Sequence, residues 1–132
     1  MTTTLTIRDE ATSSRIPDRE FALDVPSDTP TVREIIEARV RQEVREYNLE
    51  KPEVFRGLVS PVEAEITLNG AKMPDKREID PEAQALRALA AFEGNGVLML
   101  LDDRQAERLD EEVDVTPETT VTFLKLVPLV GG

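Results

Sequence analysis

The chain has 132 residues, 39% hydrophobic and only 4% aromatic, with a net charge of −11, enough for one compact domain with a mostly aliphatic core. Its acidity argues against nucleic-acid phosphate and anionic membrane as partners, because no basic stripe offsets it. It contains no His and no Cys, which excludes thiol nucleophiles, Ser-His-Asp arrangements, zinc sites built on those residues and disulfides, so we expect neither an enzyme nor a cofactor-binding protein.

Leu5 and Ile7 alternate with threonines, which predicts a half-buried strand. Residues 8–19 read as a polar connection, with Thr12-Ser13-Ser14 and Pro17-Asp18 as turn chemistry. Phe21, Leu23 and Val25 alternate with Glu20, Ala22 and Asp24, a second strand that would pair with the first and close at Pro26. Thr29-Pro30 is a helix start, Thr29 capping and Pro30 at the first position; Thr31 with Glu34 is an alternative capping box. The helix carries Val32, Ile35, Ile36, Val40, Val44 and Tyr47 on one side, and Arg33, Glu34, Glu37, Arg41, Glu43 and Glu46 on the other.

Residues 49–64 are broken by Pro52 and Pro61, with Val54-Phe55 and Leu58-Val59 as short apolar contacts. Ile66 and Leu68 before Asn69-Gly70 predict a short strand and turn. Asp80-Pro81 starts a second helix carrying Leu86, Leu89, Ala90 and Phe92, and Gly94-Asn95-Gly96 ends it. The continuous run Val97–Leu101 predicts a central strand or one buried on both faces. Asp102-Asp103-Arg104 and Thr116-Pro117-Glu118 are turns flanking an acidic segment with Leu109, Val113 and Val115. That segment and Asp102-Asp103 read as solvated, since no spacing matches a calcium loop. The last strand spans residues 119–127, with Val121 and Phe123 facing the helix and Thr122 and Leu124 facing out. This order predicts the α+β class, one helix packed across a mixed sheet.

The strand runs into Gly131-Gly132, residues that contribute nothing to packing. A tail without β-carbons can thread a narrow channel and present its carboxylate to another enzyme's nucleotide.

Leu23-Asp24-Val25-Pro26-Ser27-Asp28-Thr29 at the hairpin-to-helix junction resembles ubiquitin-like β-grasp proteins. So do the connection and strand Val115-Thr116-Pro117-Glu118-Thr119-Thr120-Val121-Thr122-Phe123-Leu124 and the tail to Gly132. The likeness covers residues 3–48 and 97–132. Residues 49–96 have no counterpart in ubiquitin and read as an insertion within a single domain of residues 1–132. Residues 125–132 read as a flexible tail, with Pro128 where the family carries more flexible, basic residues. The segment at 66–74 also resembles the family's third strand; residues 97–105 are preferred for that role because they lead directly to the last strand.

The resemblance implies a bacterial-type protein modifier whose terminal Gly131-Gly132 is adenylated by an activating enzyme using ATP, passed on as a thioester, and joined to target amines as an isopeptide. It implies a conjugating enzyme, target proteins and a deconjugating protease as further partners. Leu124 falls where the family docks partners, and Leu126, Pro128 and Leu129 complete the expected partner-binding set. Lys51, Lys72, Lys76 and Lys125 are the only lysines on which chains of itself could grow. The N-terminus lacks a signal-peptide pattern and no apolar run could span a bilayer, so a cytoplasmic protein is expected. Two alternatives stand beside it: a sulfur carrier ending in a thiocarboxylate, and a binding module that is never activated.

Overall fold

A computed structural model describes residues 2–11, 18–67 and 70–126. The first two strands, β1 (Thr3–Ala11) and β2 (Arg19–Val25), pair antiparallel with Leu5 opposite Leu23 and Ile7 opposite Phe21. Strand β1 extends through residues 8–11, which the sequence pattern places in the polar connection. The ladder continues through Arg8 opposite Glu20 and Asp9 opposite Arg19. Asp9 takes an inward position, so a buried carboxylate interrupts the apolar alternation that marks a strand.

Helix α1 (Val32–Glu50) buries all six predicted stripe residues, and Arg39 with them. Its cap is Thr31 rather than Thr29. The Thr31 hydroxyl accepts from the Glu34 amide (3.1 Å), and the Glu34 carboxylate accepts from the Thr31 amide (2.9 Å). The reciprocal box meets two donors that a helix start otherwise leaves unpaired. Pro30 is left outside the helix, and its carbonyl accepts from the Val113 amide at 2.8 Å. Lys51 ends the helix in a left-handed conformation (φ 48°), its amide donating to the Tyr47 carbonyl.

The next segment opens as an irregular stretch in which Phe55 bridges Ala71. Strands β3 (Glu65–Thr67) and β4 (Gly70–Lys72) form a separate two-stranded sheet. The short strand expected at Ile66 is therefore present, while Leu68 and Asn69 of the expected strand and turn lie outside the described residues. Helix α2 (Pro81–Glu93) begins at the Asp80 cap, as predicted, with the carboxylate accepting from the Glu82 amide at 3.0 Å. Its buried face is Gln84, Ala85, Ala88, Leu89 and Phe92. Leu86 (68% exposed) and Ala90 point to solvent instead of carrying core. The i, i+3, i+4, i+7 spacing of Ala85, Ala88, Leu89 and Phe92 makes the narrower and better stripe.

Three strands complete the main sheet: β5 (Val97–Leu101), β6 (Arg104–Gln105) and β7 (Thr120–Lys125). The order is β2-β1-β7-β5-β6, with β7 parallel to β1 and antiparallel to β5. Strand β5 is therefore not central, and only Val97, Met99 and Leu101 are buried; Leu98 and Leu100 are half-buried on the opposite face. Lys125, which lies in both the expected strand at 119–127 and the expected tail at 125–132, is the last residue of β7. Residues 106–119 cross the start of α1, where the Glu111 and Leu109 carbonyls accept from the Val32 and Arg33 amides at 2.9 and 3.0 Å. One core joins the inner sheet face, α1, α2 and the segment holding Phe55, Leu58, Met73 and Ile79. The α+β expectation thus holds: the described residues form a mixed five-stranded sheet, the small β3-β4 sheet and two α-helices. Among the described residues no helix is long and apolar enough to cross a membrane.

Replacing Thr31 by Ala removes the side-chain half of the capping box. We expect a loss of about 1 kcal/mol in urea unfolding, whereas Thr29→Ala leaves the midpoint nearly unchanged.

Candidate functional site

Strand β7 presents a different surface on each side, and both bear on what its C-terminal end does. On the outward side Leu124 lies opposite Glu10 of β1 and Leu98 of β5, and Thr122 lies opposite Arg8 and Leu100. Leu98, Leu100 and Leu124 are half-buried, forming an apolar stripe on the face away from α1, and Leu126 follows at 42% exposed. Thr122 is on this side by alternation but is buried, because its cross-strand neighbours flank it. Sequence reasoning found Leu124 but missed Leu98 and Leu100, since an unbroken apolar run hides which of its members face out. Of the expected site residues, Pro128, Leu129, Gly131 and Gly132 lie outside the described residues.

On the inward side, Val121 and Phe123 enter the core as predicted, and Lys125 takes the next inward position at the edge of a buried charge cluster. Its centre is Arg39, whose side chain is fully buried. The guanidinium donates two bonds to the Asp9 carboxylate, at 2.5 and 2.7 Å, and a third through Nε to Glu43. It also lies over the rings of Phe123 (4.7 Å) and Phe21 (5.2 Å). The forked pair with Asp9 is the geometry that a planar guanidinium holds best, and the ring faces add cation–π attraction. Arg19 reaches Asp9 from β2 at 3.2 Å, and the Glu43 carboxylate accepts from the Leu58 amide at 2.9 Å. The Lys125 ammonium donates to the Gly57 carbonyl at 2.7 Å.

These environments oppose one another electrostatically. Burial alone would raise the Asp9 carboxyl, but its bond to Arg39 and the charges of Arg39, Lys125 and Arg19 together hold it below the usual carboxylate range. Burial would lower Arg39, and Glu43 with Asp9 outweighs it, keeping the guanidinium more firmly protonated than usual. For Lys125, burial and the neighbouring Arg39 and Arg19 push the ammonium below its ordinary value, against the pull of Asp9 and Glu43. Among the described residues every buried side-chain nitrogen and oxygen has a hydrogen-bond partner. The cluster is thus a hydrogen-bonded scaffold that links β1, α1 and β7.

Two of the other acidic residues singled out by sequence serve local structure. The Asp102 carboxylate accepts from the Thr120 amide at 3.2 Å, and Glu111 pairs with Arg104. The lysines divide by surroundings. Lys72 is exposed, Lys76 pairs with Glu53 at 3.5 Å, Lys51 donates to the Lys76 carbonyl at 2.9 Å, and Lys125 is tucked against Gly57.

Sequence reasoning missed Arg39 and put Glu43 on the solvated side of the helix. The signal was present: Arg39 and Glu43 are i, i+4, and both sit three or four residues from members of the apolar stripe. Compared with protein-family models, curated proteins and solved structures, the chain finds no match in any of the three.

Two predictions arise from the cluster. Asp9→Ala leaves Arg39 buried without its main anion and should cost about 3 kcal/mol in denaturant unfolding. The second concerns pH. Asp9 titrates lower in the folded protein than in the unfolded chain, so the unfolded chain takes up the proton first. Its stabilisation is complete above the ordinary carboxylate range and is lost as pH falls through that range toward the folded value. Urea midpoints measured from neutral to acid pH should therefore fall for the parent protein, and fall less steeply for Asp9→Asn.

Proposed function

We propose that the chain is a ubiquitin-like β-grasp protein modifier, activated at Gly132 by adenylation and joined through it to target amines. The observation that carries this reading is the arrangement of the sheet. A hairpin leads through Ser27-Asp28-Thr29 into a helix that lies on one sheet face, and the last strand runs parallel to the first between β1 and β5. The segments that carry the resemblance in sequence are the ones that build this arrangement, and residues 49–96 add a hairpin and a helix that share its core.

The chemistry asks little of this chain. A carboxylate is a poor acyl donor until it carries a good leaving group. In this reading the Gly132 carboxylate attacks the α-phosphorus of ATP, forming an acyl adenylate and releasing pyrophosphate. A cysteine thiolate of the activating enzyme then displaces AMP to give a thioester. A deprotonated target amine attacks the thioester carbonyl, forms the isopeptide and releases the thiol. Every catalytic group comes from the partners, which suits a chain without His or Cys. The stripe of Leu98, Leu100 and Leu124, with Leu126 beyond it, is the surface those partners would dock against. The reading puts the reaction in the cytoplasm, where ATP is supplied.

Incubation of the full chain with ATP, magnesium and its cognate adenylating enzyme, followed by intact mass spectrometry, tests this. The expected result is ATP-dependent attachment to protein, abolished by deleting Gly131-Gly132. A product in which one sulfur replaces one oxygen would show a sulfur carrier instead. No ATP-dependent product would leave a binding module that is not activated.

A further inference from the structure

The loop at residues 56–58 belongs to the inserted segment, yet its backbone meets three members of the charge cluster, Lys125, Glu43 and the exposed Arg19. The Gly57 carbonyl accepts from the Lys125 ammonium at 2.7 Å, the Leu58 amide donates to Glu43 at 2.9 Å, and the Arg56 carbonyl accepts from Arg19 at 3.5 Å. At the far end of the same segment, the Gly96 carbonyl accepts from the Leu126 amide at 3.2 Å. The last two described residues of the chain are therefore each held by a carbonyl of the segment inserted between helix and strand.

Both partners of the Lys125 bond are constrained. Lys125 follows Val121 and Phe123 at an inward position, where another apolar residue would continue the core without desolvating an amine. On the other side, Gly57 has no room for a side chain. A β-carbon there would fall 2.2 Å from the Phe55 ring and 2.5 Å from the Glu43 carboxylate. Glycine is thus what lets this carbonyl reach the ammonium while the loop still covers Glu43.

We infer that the inserted segment positions the root of the C-terminal tail: the Lys125–Gly57 latch and the Leu126–Gly96 bond fix where the chain leaves the sheet. Lys125 is a positioning residue in this scheme. An enzyme that grips the tail meets a root already ordered by the fold, so less conformational freedom is lost on binding. The latch also withdraws Lys125 from the amines open to acylation and leaves Lys72 and Lys76 as exposed ones. The consequence for catalysis rests on the reading of Gly132 as acyl donor; the latch itself does not.

The test uses the full chain in two ways. Brief treatment of the unaltered protein with acetic anhydride, mapped by peptide mass spectrometry, should modify Lys125 at least about tenfold more slowly than Lys72. In Lys125→Met, amide hydrogen exchange at Leu126 should quicken by about tenfold. With the adenylating enzyme, KM for the variant should rise by about tenfold while kcat stays within about twofold. A merely structural role would lower activity through the folded fraction and leave KM unchanged. Acylation of Lys125 as fast as Lys72, or unchanged exchange and KM in Lys125→Met, overturns the inference. If labelling and exchange behave as expected but the unaltered chain is never adenylated, the acyl-donor reading fails and the latch stands.

Discussion

A guanidinium with no exposed surface is the constraint around which this fold is arranged. Removing Arg39 from water is costly, and the cost is tolerable only where its donors meet anions in the right plane. Asp9 supplies the fork from β1, Glu43 supplies the remaining anion one helical turn away, and Phe21 and Phe123 close the guanidinium from β2 and β7. One side chain thereby ties the hairpin, the helix and the last strand together. An apolar filling of similar volume could be as stable. The ionic one penalises alternatives, because a one-residue slip of β1 would turn Asp9 to the outer face and leave Arg39 buried without it.

The same cluster explains how the inserted segment is integrated. Its loop at Gly57 and Leu58 covers the charges that α1 and β7 bring to one end of the core, using backbone groups rather than side chains. Phe55 packs edge-on against Tyr47 at 5.6 Å between ring centres, and Asn48 exchanges two hydrogen bonds with the backbone of Ile79. Helix α2 then lays its alanine-rich face into the shared core with α1. The insertion is consequently part of the core of the domain, and it reaches the strand end from which the tail departs.

Much of the architecture was legible because it is local. The hairpin strands, the stripe on α1, the Asp80 cap and the turn at Asp102 each follow from periodicity or from a side chain meeting a backbone group a few residues away. The misreadings share one cause. Asp9 breaks the apolar alternation of β1, and Glu43 reads as part of the solvated helix face, because each is a charge whose burial depends on a partner distant in sequence, Arg39 for Asp9 and the Leu58 amide for Glu43. Thr29-Pro30 and Thr31 were both sound helix starts. The choice fell to Thr31 once Pro30 was engaged by Val113, from the strap that crosses the helix start. Leu86 has a core residue's type but not its position, because the buried face of α2 is set by Ala85, Ala88, Leu89 and Phe92.

By itself the sequence determined the elements, their order and the α+β class, because apolar spacing, caps and turn residues act within a few positions. It also determined that catalytic thiol and imidazole chemistry is absent, since that depends on residue type alone. The tertiary structure decided the parallel pairing of β1 with β7, the exposure of Leu98 and Leu100 beside Leu124, and the charge cluster beneath the strand end. Those depend on which residues distant in the chain become neighbours. A buried charge or an outward leucine acquires its meaning only from the neighbour that meets it.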